Sequence, residues 1–523
     1  MRRLTLILRT IVHLRPIQIL ARVWNRRPRL PVSSDRLQPR EGVHPSAPFP
    51  RYYKVWDGDA TFSFIGETHE MPRSWRDKAL KKLWIYNLHY FDCLRQDGVG
   101  LVQALDLVLD WIHSNPRPVG DGWEPYPLSL RIVNWVKFLA SEGRDLADVR
   151  EADVREMERS LCEQARWLAK SLEYHLLANH LLANAKALVF AGWFFGGGSG
   201  EGEAGRWLRA GMRILRRELP RQVLADGIHF ERSAMYHSII LEDMLDLVAI
   251  TDDDFIRGFA TRMLSGLGTL TAPDGRIVLF NDAAHGIALP PAMLREYAST
   301  LGIVPDHAVA DGETSGYVRI ERGDWTMIAK CGDIGPSYQP GHAHADSLTF
   351  ELWHGTRKIV TDTGCDRYVI CEERARQRSS AAHNVPVVDG ANSSEVWASH
   401  RVARRARTFI ERRDASSVIA ICEYVNGVSA RRTLTLTDGG LVGKDEIGGK
   451  CDARPHDVSI RFHIPAEVSD AVVQIDSSSA QCEQSRSECQ VTEGFGHLVQ
   501  ARCEAISART ALPFTASWHI IVG

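Results

Sequence analysis

No CxxC pair occurs in the 523 residues, and only two of the ten cysteines, Cys93 and Cys162, precede residue 330. Cysteines this sparse give no basis for a disulfide framework in a large chain, and a cysteine-type zinc site has no support. Pairing among the later cysteines stays open. Excess charge of either sign is also missing. The 63 basic and 65 acidic side chains nearly cancel, which argues against a global nucleic-acid binder. A long apolar run is missing too. The first thirty residues, MRRLTLILRTIVHLRPIQILARVWNRRPRL, come nearest, but Arg9, His13 and Arg15 interrupt them. No small-residue cleavage site follows, so a cleaved signal peptide is weakly supported and a membrane-spanning helix more weakly still. What this segment lacks most plainly is acid: eight arginines precede the first acidic residue, Asp35. Two readings fit it equally. One is a basic amphipathic helix in peripheral contact with a membrane. The other is a helix packed on the body of the protein.

The length exceeds one ordinary core and implies two or three domains. A composition of 44% hydrophobic and 24% charged residues is that of a soluble globular protein. From about residue 75 to 305 the apolar residues recur at helical spacing, as in GLVQALDLVLDWIHSNP and SIILEDMLDLVAI. Successive helices without strands between them predict an all-α domain. Past about residue 311 the period becomes two, as in SGYVRIERGDWTMIAKCG and SSVIAICEYVNGVSARRTLTLTDGG, with NG, DGG and HG turns between runs. That predicts an antiparallel sandwich. The domains expected are therefore 1–75, a basic N-terminal helix and linker; 76–310, helical; and 311–523, antiparallel sheet.

Four stretches carry chemistry. EYHLLANHLLANAKAL repeats HLLAN, but Asn179 and Asn184 are five apart and point roughly 140° from each other on a helix, so both cannot face one cavity. Asn179 and His180 read as polar neighbours inside an apolar helix, and buried polar groups need partners or a purpose. LADGIHFERSAMYHSI turns at Asp226-Gly227 into a helix read as carrying Glu231, Arg232, Tyr236 and His237; a tyrosine beside cations suits acid/base work. LWIYNLHYFDCL and DGWEPYPLSLRIVNW bring Asn87, His89, Trp123, Tyr126 and Arg131, a composition that suits a sugar cleft and equally suits core packing. Finally, QPGHAHADSLTFELW places His342, His344 and Asp346 at alternate positions before a strand, with Asp362 and His383 near later strand ends. Histidines with one carboxylate make a nitrogen/oxygen zinc shell, although the spacing is no standard short motif.

Taken together, YNLHYFD, ANHLLANAKAL, DGIHFERSAMYH, GHAHADSLTFEL, VTDTG and HNVPVVDG resemble the heparinase II/III family of polysaccharide lyases. The resemblance runs from about residue 80 to 400. The segment RTIVHLRPIQILARVW is similar to the opening of members found with bacterial exopolysaccharide genes. The resemblance implies an N-terminal (α/α) toroid followed by a C-terminal antiparallel β-sandwich, and β-elimination of a uronic-acid-containing, acidic polysaccharide. It implies that Asn179 neutralises the substrate carboxylate, with His180 beside it. Tyr236 would then handle the proton of the leaving oxygen, and His342 would complete the site. Asn87, His89, Trp123, Arg131 and Glu231 are the expected substrate-binding residues. His344, Asp362 and His383 resemble the family's ligands for a structural zinc ion. A glycoside hydrolase on the same toroid, with Glu124, Asp226 or Glu231 as carboxylates, and a non-catalytic glycan-binding protein are the alternative readings. Periplasmic, cytoplasmic and membrane-peripheral placement all remain open.

Overall fold

A computed structural model describes residues 2–27, 29–72, 74–196, 202–306, 314–449, 454–476 and 482–523. Two short helices, α1 (Arg2–Ile11) and α2 (Pro16–Trp24), lead through an extended segment to a hairpin of β1 (Thr61–Phe64) and β2 (Glu67–Glu70). Eight helices follow: α3 (Lys82–Tyr90), α4 (Leu101–Ser114), α5 (Pro125–Ala169), α6 (Ala178–Phe195), α7 (Gly202–Gln222), α8 (Ala234–Thr251), α9 (Asp254–Leu270) and α10 (Pro291–Thr300). Their apolar stripes meet in one core holding Trp84, Trp111, Trp135, Leu181, Leu188 and Leu245. The long helix α5 is kinked at Arg150 (φ −138°). The domain change expected at residue 310 falls on 307–313, outside the described residues.

The second half is antiparallel throughout its named strands. A four-stranded sheet runs in the order β3 (Tyr317–Arg322), β4 (Trp325–Lys330), β5 (Phe350–His354), β6 (Arg357–Val360). Between the sheets lie a short helix, α11 (Glu372–Gln377), and β7 (Pro386–Val388), then the small ladder β8 (Val396–Trp397) with β9 (Arg401–Val402). Then come β10 (Arg407–Arg413), β11 (Ser417–Glu423), β12 (Val428–Thr437), β13 (Gly440–Gly449), β14 (His456–Pro465), β15 (Ala471–Ile475), β16 (Glu483–Gly494), β17 (His497–Thr510) and β18 (Phe514–Val522). They form a six-stranded sheet β10-β11-β12-β13-β18-β15 and a four-stranded sheet β16-β17-β14-β7. Period-two burial is plain along β12, where Val428, Ala430, Arg432, Leu434 and Leu436 all point inward. The inward Arg432 is held by Asp445 at 2.7 and 3.0 Å, and the Trp518 indole donates to the same carboxylate at 2.9 Å. A buried charge is tolerable only when paired in this way.

A third apolar cluster joins the halves. It takes Ile228, Met235, Tyr236, Ile277 and Phe280 from the helical side and Tyr317, Ile328, Trp353 and Phe495 from the sheet side. The tyrosine singled out in the sequence therefore stands at the junction of the two folds.

Candidate active site

The helical wall begins where the sequence pattern misleads. The apolar spacing reads as one helix through SLEYHLLANHLL, but the chain breaks after Ala169 and restarts at Ala178. Leu177 (φ 62°) and Ala178 (φ 51°) take left-handed backbone conformations at the restart. Asn179 and His180 thus sit in the first turn of α6, at its positive end, and not in mid-helix. Asn184 explains how the break is held. Its Oδ1 accepts from the Glu173 amide at 2.8 Å, and its Nδ2 donates to Glu173 Oε2 at 3.1 Å and to Ser129 Oγ at 3.0 Å. So braced, Glu173 offers Oε1 to His180 Nδ1 at 3.1 Å. The His180 ring packs on Tyr126 with centroids 4.5 Å apart. Burial alone would lower the His180 imidazole, but Glu173 outweighs it, with Glu231 adding, so the group stays protonated to higher pH than an ordinary histidine.

The second helical element is the turn before α8. Asp226-Gly227 forms a tight loop with Gly227 at φ 77°, where a Cβ would lie 2.0 Å from the Arg262 carbonyl. Glu231 and Arg232 lie in this loop, ahead of the helix in which the pattern placed them; α8 starts only at Ala234, capped by Ser233 Oγ accepting from the Tyr236 amide. Arg232 is left-handed (φ 54°), held by Asn281 Nδ2 and the Tyr317 hydroxyl, which donate to its carbonyl at 2.6 and 2.8 Å. The loop aims Glu231 at Asn179, whose Nδ2 donates to both carboxylate oxygens at 3.0 and 2.9 Å. Burial raises the Glu231 carboxyl, partly offset by His342 and Asn179. Tyr236 lies one turn into the helix. Burial pushes its phenol well above the ordinary value, so it holds its proton at neutral pH.

From the sheet half comes His342, stacked on Tyr236 with ring centroids 3.8 Å apart and 28° between planes. Residues 339–349 form a loop and β5 begins only at Phe350, so strand alternation does not pair His342 with His344. A carboxylate does. Asp282 accepts from His342 Nδ1 at 3.0 Å and His344 Nε2 at 2.8 Å, while Arg374 grips it from behind. Burial would raise Asp282, but Arg374 and the two histidines hold it well below the usual carboxylate range. Fixing Nδ1 in this way leaves His342 Nε2 as the working nitrogen. Tyr368, whose hydroxyl is 3.2 Å from that of Tyr236, and His400 complete the patch.

The expected zinc ligands are neighbours but do not converge. His383 Nδ1 lies 2.9 and 3.0 Å from the Asp362 oxygens, and His344 Nε2 is taken by Asp282. Two buried imidazole atoms, His344 Nδ1 and His383 Nε2, are without partners, on rings 5.4 Å apart. Unpaired buried nitrogens beside a carboxylate suit a nitrogen/oxygen metal site. Among the described residues, the group able to hold a metal with donor atoms all within 4.8 Å of one another is Asp282, His342 and His400.

Three expected substrate contacts are core residues instead. His89 and Arg131 are fully buried and Trp123 nearly so. The Trp111 indole donates to His89 Nδ1 at 3.0 Å, and Arg131 lies over the Trp111 ring and bonds Gln164 at 2.8 Å. His89 Nδ1 and Arg131 Nε and Nη1 are spent inside the helical core, and burial with nearby Arg131 pushes His89 down to about 3. Asn87 is half-buried and turns back to its own helix, donating to the Leu83 carbonyl at 2.8 Å. Glu231, by contrast, stands in the site. Sequence reasoning missed Asp282, Glu173, Tyr368, Arg374 and His400. Asp282, Glu173, Tyr368 and His400 lie in irregular chain, where no periodicity reports direction, and Arg374 lies in the six-residue α11, too short to show one. Only the polar pair Asn281-Asp282 among apolar neighbours offered a signal.

Residues 105–309 match the model "Heparinase II/III N-terminus", and 304–521 match "Heparinase II/III-like, C-terminal". A heparin-sulfate lyase of Pedobacter heparinus is 25% identical over 347 residues, 60% of this chain and 49% of that protein. One from Bacteroides stercoris is 24% identical over 253 residues, 42% of this chain and 37% of its own length. The chain thus matches less than half the length of these curated relatives. Among solved structures, heparinase III superposes with a TM-score of 0.68 at 16% identity, covering 97% of this chain and 89% of that one. A heparan sulfate lyase from Pedobacter heparinus gives 0.57 at 16% identity over 89% and 81%. The likeness identifies the fold as a helical toroid followed by antiparallel β-sandwich layers. With two adjoining models that run from residue 105 to 521 and this shared architecture, the chain belongs to the heparinase II/III family.

Proposed function

We propose that the protein is a polysaccharide lyase that cleaves an acidic, uronate-containing glycan by β-elimination. One observation carries the reading: a proton-retaining tyrosine, Tyr236, is stacked on a histidine whose tautomer is fixed, His342, beside the Asn179–Glu231 pair. The C5 proton of a uronate becomes acidic only when its carboxylate charge is offset. Asn179 and His180, which keeps its proton to higher pH than an ordinary histidine, supply that offset. His342 Nε2 accepts the C5 proton. The freed electron pair forms the C4–C5 double bond, the C4–O4 bond breaks, and the Tyr236 hydroxyl protonates the departing oxygen. Hydrolysis on the same scaffold needs two available carboxylates, and the three candidates are committed to partners: Glu124 to Lys82 and Tyr86, Asp226 to the Ser315 amide, and Glu231 to Asn179.

Zinc held at the unpaired nitrogens of His344 and His383, with Asp362 orienting the His383 ring from its other nitrogen, would brace the loop that presents His342, a supporting role outside the proton transfers. The substrate class follows from the mechanism: a polymer with a carboxylate at C6, heparan-type or a bacterial exopolymer. The test is a panel of acidic polysaccharides, including the producer's own exopolymer, followed by ultraviolet absorbance of the unsaturated product. Tyr236→Phe should cut the rate by about 10²–10⁴ with the fold intact. New reducing ends without that absorbance, from the wild type, would sink the proposal.

A further inference from the structure

The N-terminal helices are amphipathic the wrong way round for a buried element. In α2 the residues facing the body are Gln18, Ala21 and, just beyond the helix, Asn25. Gln18 Nε2 donates to the Leu176 carbonyl at 3.4 Å, and Asn25 meets His175 Nδ1 at 3.1 Å. The large apolar residues face out: Ile17, Ile19, Leu20, Val23 and Trp24, with Leu20 and Trp24 each 64% exposed. In α1, Leu4, Leu8 and Ile11 make an outward stripe at helical spacing, while Thr10 accepts from the Trp397 indole at 3.1 Å and Arg9 pairs with Glu395 at 2.7 Å. Among the described residues, ten of the seventeen exposed large hydrophobic side chains lie within the first thirty positions. Scattered apolar residues need no explanation, but a concentration like this marks a binding face.

The charge on the same segment says what covers it. Arg3, Arg22, Arg26 and Arg27 are exposed, and no acidic residue occurs before Asp35. Arg27 lies over the Trp24 ring at 4.4 Å. Arg22 stands near Arg401 of the sheet half, two like charges whose proximity adds to burial in lowering Arg22. A second copy docked on this face would set arginine against arginine. A soluble acidic polymer would answer the arginines and leave the leucines and tryptophan in water. Neither helix is long enough to cross a bilayer, and they meet at 108°.

We propose that α1 and α2 form an interfacial anchor that docks the enzyme on an anionic lipid bilayer, apolar side chains among the acyl chains and arginines at the headgroups. The helices grip both halves through their inner faces, so the anchor would hold the whole two-domain unit at the surface.

The test is flotation of the full chain with vesicles of phosphatidylcholine alone and with about one lipid in three replaced by phosphatidylglycerol. The wild type should float only with the anionic vesicles. The neutral triple variant Leu20→Ser/Val23→Ser/Trp24→Ser keeps every charge and should partition roughly a hundredfold more weakly. Arg22→Gln/Arg26→Gln/Arg27→Gln should lose about as much. Circular dichroism and an unchanged melting temperature verify folding of both. No flotation of the wild type, flotation unaffected by the serine changes, or a wild-type dimer that those changes dissociate would each overturn the anchor. The readout is independent of lyase activity, so either proposal can fail alone.

Discussion

His180 shows how much one partner can decide. Burial would lower its pKa, and the Glu173 carboxylate, with a smaller addition from Glu231, reverses the sign. A folded pKa raised above the ordinary value of about 6.5 means that the protonated form persists as pH rises and is lost only through the raised value. If His180 supplies part of the positive field for a uronate, kcat/KM should fall on the alkaline side through that pKa. Glu173→Gln leaves burial opposed by Glu231 alone. Its alkaline limb should move to lower pH, and a profile of kcat/KM that keeps its alkaline limb in place would remove His180 from the proposed role. Tyr368→Phe is a milder change, deleting one hydroxyl partner of Tyr236. A loss of about tenfold or less in rate, against the much larger loss for Tyr236→Phe, is expected in the product assay. Asn179, His180, Tyr236 and His342 were legible because they recur in quoted motifs. Glu173 was not, because its position depends on a helix break that the apolar pattern runs straight through.

At the scale of elements, the site depends on two loops that interlock across the junction. The Asp282 amide donates to the His342 carbonyl at 3.0 Å, and the Asn281 side chain accepts from the His344 amide at 2.9 Å and from Lys330 at 2.7 Å. Asp282 adds its contacts to His342, His344 and Arg374. Asp282→Asn would leave the Arg374 guanidinium buried without its counter-charge. A destabilisation of roughly 3–5 kcal/mol is expected in denaturant unfolding, together with loss of the proposed lyase activity as His342 loses its tautomer. The unpaired nitrogens of His344 and His383 carry a separate expectation. Purified protein should contain about one zinc per chain, and prolonged chelation should lower the melting temperature before any change in the helical circular dichroism signal. Metal-free protein with unchanged stability would leave those nitrogens unexplained and zinc without a role. Sequence reading reached His342 and His344 by motif and placed them at alternate positions just before a strand, but alternation could not say what joins them: a loop and a remote aspartate bring them together.

At the scale of the molecule, the change from period 3.6 to period two was readable because hydrophobic burial imposes it on the long helices of the first half and on half-buried strands such as β11 and β12 in the second. Polar staples inside the core were not readable, since an inward lysine or aspartate looks the same in sequence as an outward one. The clearest is Asp246 on α8, which accepts from Lys137 of α5 at 2.6 Å, from Lys186 of α6, and from the Tyr297 hydroxyl of α10 at 3.2 Å. Lys186 also meets Asp243 at 2.6 Å and is raised, its burial outweighed by Asp243, Asp246 and Glu242; Lys137, buried beside Arg95, is lowered to about 8. Burial would raise Asp246, but the cations around it prevail and hold it well below the usual range. A depressed carboxylate stabilises the fold fully above its unfolded pKa of about 3.9, and the contribution drains away as pH falls below that value. Acid should therefore loosen four helices together. Asp246→Asn removes the charge and leaves two buried ammonium groups facing a neutral amide. The variant should lose roughly 3 kcal/mol or more at neutral pH, and its stability should fall less steeply than that of the wild type below about pH 4. Urea unfolding monitored by helical circular dichroism at pH 7 and pH 3.5 measures both. A variant as stable as the wild type at pH 7 would show that the staple can be spared and that apolar packing alone closes the helical core.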